Sequence, residues 1–249
     1  MVDRPANTST LLTVASGQSF STSLIPTSVG NATKVFDADS ALTDTSISGA
    51  YIDEIWFQYS RKETQIISPK SAVTSTWANT GTVCVITPTG GNNARVGQEV
   101  FVDFTSTGGT LPADGVYSVT AATATTFTIT IAAQGNTNGN CTAQLPTDFC
   151  FYLVQASTVT NINQFFPLFT LSIDSVVSKE YFSLTEQGIL PYINHPVAQS
   201  GANINSANSL TIPKHRGLML RRGQALFVAT SGSTALTNAF YCNIQGGFY

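Results

Sequence analysis

The sequence predicts an all-β protein: a jelly-roll-like β-sandwich interrupted by a small inserted β-domain. Three observations predict it. Segment after segment alternates apolar and polar residues at period two, with β-branched and aromatic residues enriched. Ala, Leu, Glu and Lys are nowhere concentrated enough to favour helix, whereas Thr, Val and Gly are everywhere. The texture of the chain also changes near residues 73 and 146, as though one set of strands had been cut open to admit another.

Residues 1–19, "MVDRPANTSTLLTVASGQS", are polar and show neither a helical period nor a convincing strand, so they read as an extended N-terminal arm. "SFSTSLI" (19–25) and "TKVFDADSA" (33–41) read as short strands. "GAYIDEIWFQYSRK" (49–62) is the clearest early strand: Tyr51, Asp53, Ile55, Phe57 and Tyr59 alternate with Ile52, Glu54, Trp56 and Gln58. Residues 20–72 thus open the sandwich.

A compact series follows in 73–146, the expected insert. "GTVCVITP" (81–88), "EVFVDFTS" (99–106), "GVYSVTAA" (115–122) and "TTFTITIAA" (125–133) are strands separated by turn signals rich in Gly, Asn and Asp. The segment closes on a Gly/Asn-rich loop, "QGNTNGNCTAQLP". Long aromatic strands resume in 147–249: "FCFYLVQAS" (149–157), "FPLFTLSID" (166–174), "NSLTIPK" (208–214), "GLMLRRGQALFVATSG" (217–232) and "NAFYCNIQGGFY" (238–249). The long connection between the second and third of these carries one helical turn at SLTEQ, where Ser183 and Glu186 fit a weak capping box. Strands before residue 70 and after residue 146 together reach about eight, the jelly-roll number.

The composition bounds the function. Of 249 residues 42% are hydrophobic, enough for a core, and only 10% are charged, where about a quarter is usual. The net charge is −3 with no Lys/Arg run, so there is no nucleic-acid footprint. No apolar run approaches the length of a membrane helix, and the start has no apolar signal core. Cys84, Cys141, Cys150 and Cys242 match no zinc spacing and read as small buried hydrophobes. Cys84 and Cys141 fall on the first and last parts of the insert, where they are candidate neighbours in space.

Nothing in the sequence converges on catalysis, a metal or a cofactor. His195 and His215 stand in a connection and a turn without a partner motif. Asp37, Asp39 and Asp44 lack the Gly and distal Glu of a calcium loop and read as a solvated turn. Asp53 and Glu54 point to opposite faces of one strand, so they cannot form a carboxylate pair. Arg221 and Arg222 read as an exposed pair in a turn.

The ending "LTIPKHRGLMLRRGQALFVATSG…FYCNIQGGFY" resembles small jelly-roll structural proteins of tailed bacteriophages. The piece "KVFDADSA…GAYIDEIWFQYS" resembles their first core strands. The insert resembles a small β-module common in phage structural proteins. The resemblance covers most of 33–249 and leaves the arm unmatched; "GGFY" stands where an acidic residue before the last Tyr is frequent. It implies a non-enzymatic virion component on the capsid surface. The expected role is a head decoration or cement protein whose partners are the major capsid protein shell and, in a homotrimer, itself. A receptor- or glycan-binding module of a head or tail fibre is the alternative, since one fold serves both. The candidate partner-binding residues are Leu11, Leu12 and Val14, the apolar group of the arm, and Trp77, expected as an exposed contact at the edge of the insert.

Overall fold

The computed structural model describes residues 4–12, 26, 28–39, 48–59, 71–107, 109–156, 158–174, 179–183, 189–190, 210–211, 218–230 and 240–249. They form strands and two short 3-10 turns, Val29–Asn31 and Ile162–Gln164, with no α-helix among the described residues. In chain order the strands are β1 (Arg4–Leu12), β2 (Thr33–Asp37), β3 (Gly49–Tyr59), β4 (Val73–Pro88), β5 (Glu99–Thr107), β6 (Gly115–Ser118), β7 (Ala121–Ala122), β8 (Phe127–Gln134) and β9 (Asn138–Gln144). There follow β10 (Thr147–Val154), β11 (Phe166–Ile173), β12 (Lys179–Ser183), β13 (Ile189–Leu190), β14 (Leu210–Thr211), β15 (Leu218–Arg221), β16 (Ala225–Thr230) and β17 (Phe240–Phe248).

Two antiparallel sheets make the sandwich. One runs β1-β17-β3-β12, with β15 pairing the remaining half of β3; the other runs β11-β10-β16-β2. Strands remote in sequence lie side by side, as in Greek-key sandwiches. Alternation along each strand decides what the core receives. Ile52, Ile55 and Phe57 from β3, Ile244 from β17, Phe149 and Phe151 from β10 and Leu226 and Val228 from β16 meet in one buried cluster. Phe57 packs on Phe149 with ring centroids 4.4 Å apart, and Phe151 stacks on Phe169 at 4.9 Å.

The middle strands of the second sheet, β10 and β16, are buried on both faces, which is why they read as near-continuous apolar runs. The sheet's other face holds Cys150, Tyr152, Val154, Ala225, Phe227 and Ala229 beneath Phe165. Phe165 leaves the 3-10 turn Ile162–Gln164, whose first residue is capped by Asn161 and Gln164 in a reciprocal capping box.

The inserted strands close into a barrel. Their sheet order is β6-β5-β9-β4-β8-β7. The outermost members, β6 and β7, are two halves of one bent segment, 115–122, and only two residues separate them. One half pairs with β5 and the other with β8, so the sheet meets itself and has no free edge there. β4 serves both sides, pairing β9 with its first half and β8 with its second. It bends at Gly81, whose φ of 63° favours glycine. Buried Asn79 holds the bend by donating to the carbonyls of Gly81 and Gly135 and accepting from the Thr137 amide. Trp77, Ile86, Val100, Phe104, Phe127 and Ile129 fill the interior.

Several expectations need correction. Residues 4–12 of the arm are a strand, paired residue for residue with β17. The polar run offered no period-two signal, because a backbone ladder at a sheet edge needs none. The insert's first strand begins at Val73, not 81, and the Gly/Asn loop at 134–146 contains β9. The single strands expected over 115–122 and 217–232 are each broken in two, the latter by a turn at Arg222–Gly223. β12 was not expected at all. The 19–25 strand and the SLTEQ turn lie outside the described residues, apart from Ser183, which ends β12.

Candidate interaction surfaces

Trp77 is not an exposed contact. It lies in the barrel core with 2% of its surface accessible, edge-on to Phe104 at 5.4 Å. It alternates with exposed Thr76 and Ala78 on β4, and the barrel turns its face inward. Leu11 and Leu12 belong to β1, opposite Tyr241 and Phe240 of β17, and so form part of the sandwich's own sheet. Val14 lies outside the described residues. The three described candidates therefore do not meet at one place: Leu11 and Leu12 lie on the sandwich sheet and Trp77 in the barrel core.

All four cysteines are free and buried. Burial pushes the Cys84 and Cys150 thiols up to about 11 and Cys141 up to about 12, and raises Cys242 as well. Cys84 and Cys141 share the barrel core. Their strands are neighbours, but Cys141 stands opposite Ser75 and Cys84 opposite Ile129. Asp37 and Asp39 are structural. Asp37 accepts from Lys34 at 2.7 Å and from the Asp39 amide, and Asp39 accepts from the Gly223 amide at 2.8 Å, with Arg222 3.9 Å away. They tie the β2 end to the β15–β16 turn. Asp44, His195 and His215 lie outside the described residues.

Two surfaces emerge that residue patterns alone did not reveal. The first is the barrel wall. Residues 71–94 and 115–147 contain no charged side chain, so every charge in the insert falls at Arg95, Glu99, Asp103 and Asp114. On the wall made by β4 and β8, exposed Val83 and Val85 stand opposite Thr130 and Thr128. Val116 is exposed on β6. The sequence signal was the position of the charges, not their number.

The second is the junction of barrel and sandwich. Arg95 places Nη1 and Nη2 3.1 and 3.0 Å from the two carboxylate oxygens of Asp148 on β10. Gln98 Nε2 donates to Ser172 Oγ at 2.9 Å, and Asn93 Nδ2 donates to the Pro146 carbonyl at 2.5 Å. The Glu99 amide points to Asp174 Oδ2 at 3.5 Å. Burial raises the Asp174 carboxyl above the ordinary aspartate range. The Glu99 amide opposes that rise, the Glu99 charge adds to it, and Gln98 and Arg95 oppose it.

Among the described residues no group of three or more His, Cys, Asp or Glu could hold a metal ion, and no helix is long and apolar enough to cross a membrane. No protein-family model and no curated protein matches the chain. Among solved structures, a chain of the VP16-VP17 complex, the two major capsid proteins of bacteriophage P23-77, aligns over 82% of this chain and 90% of its own. The two share 10% identity with a TM-score of 0.21, far below the value of a shared fold.

Proposed function

We propose that the protein is a non-enzymatic structural subunit of a phage virion, a decoration or cement protein that binds and stabilises the head shell. The observation that carries this reading is the uncharged, Val- and Thr-rich wall of a barrel set into a β-sandwich. A surface without charge can be covered by another protein without the desolvation cost of buried ions. Low charge over the whole chain supports self-association too, since little self-repulsion opposes it. A homotrimer on a three-fold position of the shell is the assembly we assign. The resemblance of residues 33–249 to phage jelly-roll proteins points the same way. In this reading the sandwich, 20–72 with 147–249, is the assembly scaffold and the insert, 73–146, is its second binding surface.

The test is to mix the purified full chain with shells lacking it and to count bound copies after sedimentation. Saturable binding in hundreds of copies per shell, with a raised shell melting temperature, is expected. Absence of binding, or binding in a few copies only, rejects the cement role; the latter outcome favours the fibre or receptor-binding alternative. Sedimentation of the free protein as a monomer at micromolar concentration rejects the trimer.

A further inference from the structure

We propose that the loop 92–99 is a seat that fixes the barrel's orientation on the sandwich, with the Arg95–Asp148 pair as its principal contact. An inserted domain joined by two chain crossings is ordinarily free to swing. Here the loop is pinned from both sides.

On the barrel side, Asn92 Nδ2 donates to the carbonyls of Ala94, Thr123 and Thr126, while the Asn92 amide bonds the Ala124 carbonyl. The Gly97 amide donates to Val119 O, and the Val119 amide donates back to Gln98 O. Gly97 takes a φ of 87°, which lets the loop turn tightly there. These bonds tie the loop to the turn between β7 and β8 and to Val119, so it moves with the barrel.

On the sandwich side, the same residues reach three places: Asp148 on β10, Ser172 opposite it on β11, and the Pro146 carbonyl. Gln98 couples the two sides, since its Oε1 accepts from the Arg95 amide while its Nε2 holds Ser172. Asp148 is almost fully buried, with 4% of its side chain accessible, so its charge has Arg95 in place of water. Such fork-to-fork pairs fix direction as well as distance.

The covalent exit is equally short. β9 ends at Gln144 and β10 begins at Thr147, with Leu145 still packed on the barrel core and Thr147 already buried in the sandwich. Pro146 stands between them with φ fixed by its ring.

This inference stands apart from shell binding, because orientation is read on the free protein. The native thiols are buried, so spin labels go on Thr130→Cys in the barrel and Met219→Cys in the sandwich, both exposed positions. Electron–electron dipolar spectroscopy should give a single narrow distance. With Arg95→Ala added, that narrow peak should be lost while far-UV and near-UV circular dichroism remain those of a folded protein. Asn93→Ala with Gln98→Ala supplies a second variant, which leaves the ion pair in place, and should broaden the peak as well. A broad distribution with the seat intact overturns the proposal. So does a narrow one that survives in either folded variant.

Discussion

Arg95, from the inserted barrel, and Asp148, from the start of β10 where the sandwich meets the barrel, form a two-pronged ion pair across 53 positions of sequence, with the carboxylate all but sealed from solvent. Removing one member of a buried pair leaves an uncompensated charge, which costs about 3–5 kcal/mol where the site cannot open. The exposed Lys34–Asp37 pair, by contrast, belongs to a class worth about 0–1 kcal/mol. A double-mutant cycle of Arg95→Ala and Asp148→Asn, followed by denaturant unfolding, should give a coupling energy well above about 1 kcal/mol. The same cycle on Lys34 and Asp37 should give less. Equal couplings would show that the seat contributes no more than a surface contact.

Gly246 and Gly247 explain the "GG" before the final aromatic pair. A side-chain carbon on Gly246 would collide with the backbone carbonyl of Tyr51 across the β17–β3 ladder, and one on Gly247 would meet the Tyr51 ring. The ladder shifts register between Gln245 and Gly246, at the point of this close approach. Gly246→Ala should lower stability by about 2–3 kcal/mol, the upper part of the overpacking range, because backbone cannot step aside as a side chain can. Gly30→Ala, with open space around it, should cost nothing or add a few tenths. Thermal unfolding of the two variants side by side checks this, and equal melting temperatures would refute it.

These positions show what the sequence made legible. Alternation along 49–59 announced a strand because β3 buries one face, whereas 149–154 announced one as an unbroken apolar run because β10 is buried on both. Edge and bridging strands carry no such imprint. β1 is mostly polar in sequence yet pairs along its length with β17, and β9 is Asn- and Gly-rich yet sits between β4 and β5. Trp77 misled for a related reason: its neighbours in "STWANTG" look like a loop, but they are a barrel strand whose polar Ser75 and Asn79 are buried beside it while Thr76, Ala78 and Thr80 face outward. The seat was invisible because it joins residues far apart in sequence, and an Arg, an Asn and a Gln in a Gly-rich loop resemble any solvated turn.

The buried thiols lead to a chemical prediction. A thiol attacks as its thiolate, and burial lifts Cys84 and Cys150 to about 11 and Cys141 to about 12. At pH 8 the native protein should therefore release almost no chromophore from an aromatic disulfide reagent, while the denatured chain should react at all four cysteines. A fast native reaction at any of the four would mean that its core opens readily.

Asp174 sets a pH dependence. Its carboxyl binds a proton more tightly folded than unfolded, chiefly through burial, with the Glu99 charge adding to the effect while the Glu99 amide, Gln98 and Arg95 oppose it. Its contribution to stability is thus full below the unfolded value of 3.8 and is lost as pH rises through the higher folded value. At pH 7 the ionised group is a liability at the junction. Asp174→Asn should raise the melting temperature at pH 7, and the gain should shrink as pH falls to about 4. A variant less stable than the parent at pH 7 would overturn this.

The last prediction concerns independence of the two cores. The sandwich cluster draws every member from residues 35–57 and 149–244, and the barrel cluster draws every member from 77–143. Among the described residues neither cluster takes a buried apolar side chain from the other unit, and the contacts that join the two units at the seat are polar. Apolar burial is what drives folding, so each unit holds its own driving force. Replacing 73–145 by a short Gly/Ser linker should therefore leave a folded sandwich. It would also bare Asp148, which would then find water in place of Arg95 and need no partner. The isolated segment 73–146 should fold by itself, since closure of its sheet through 115–122 leaves no edge that the sandwich must cover. Cooperative melting and dispersed amide resonances are expected from both pieces. An unfolded sandwich after the deletion would mean that the barrel is part of the sandwich's folding unit.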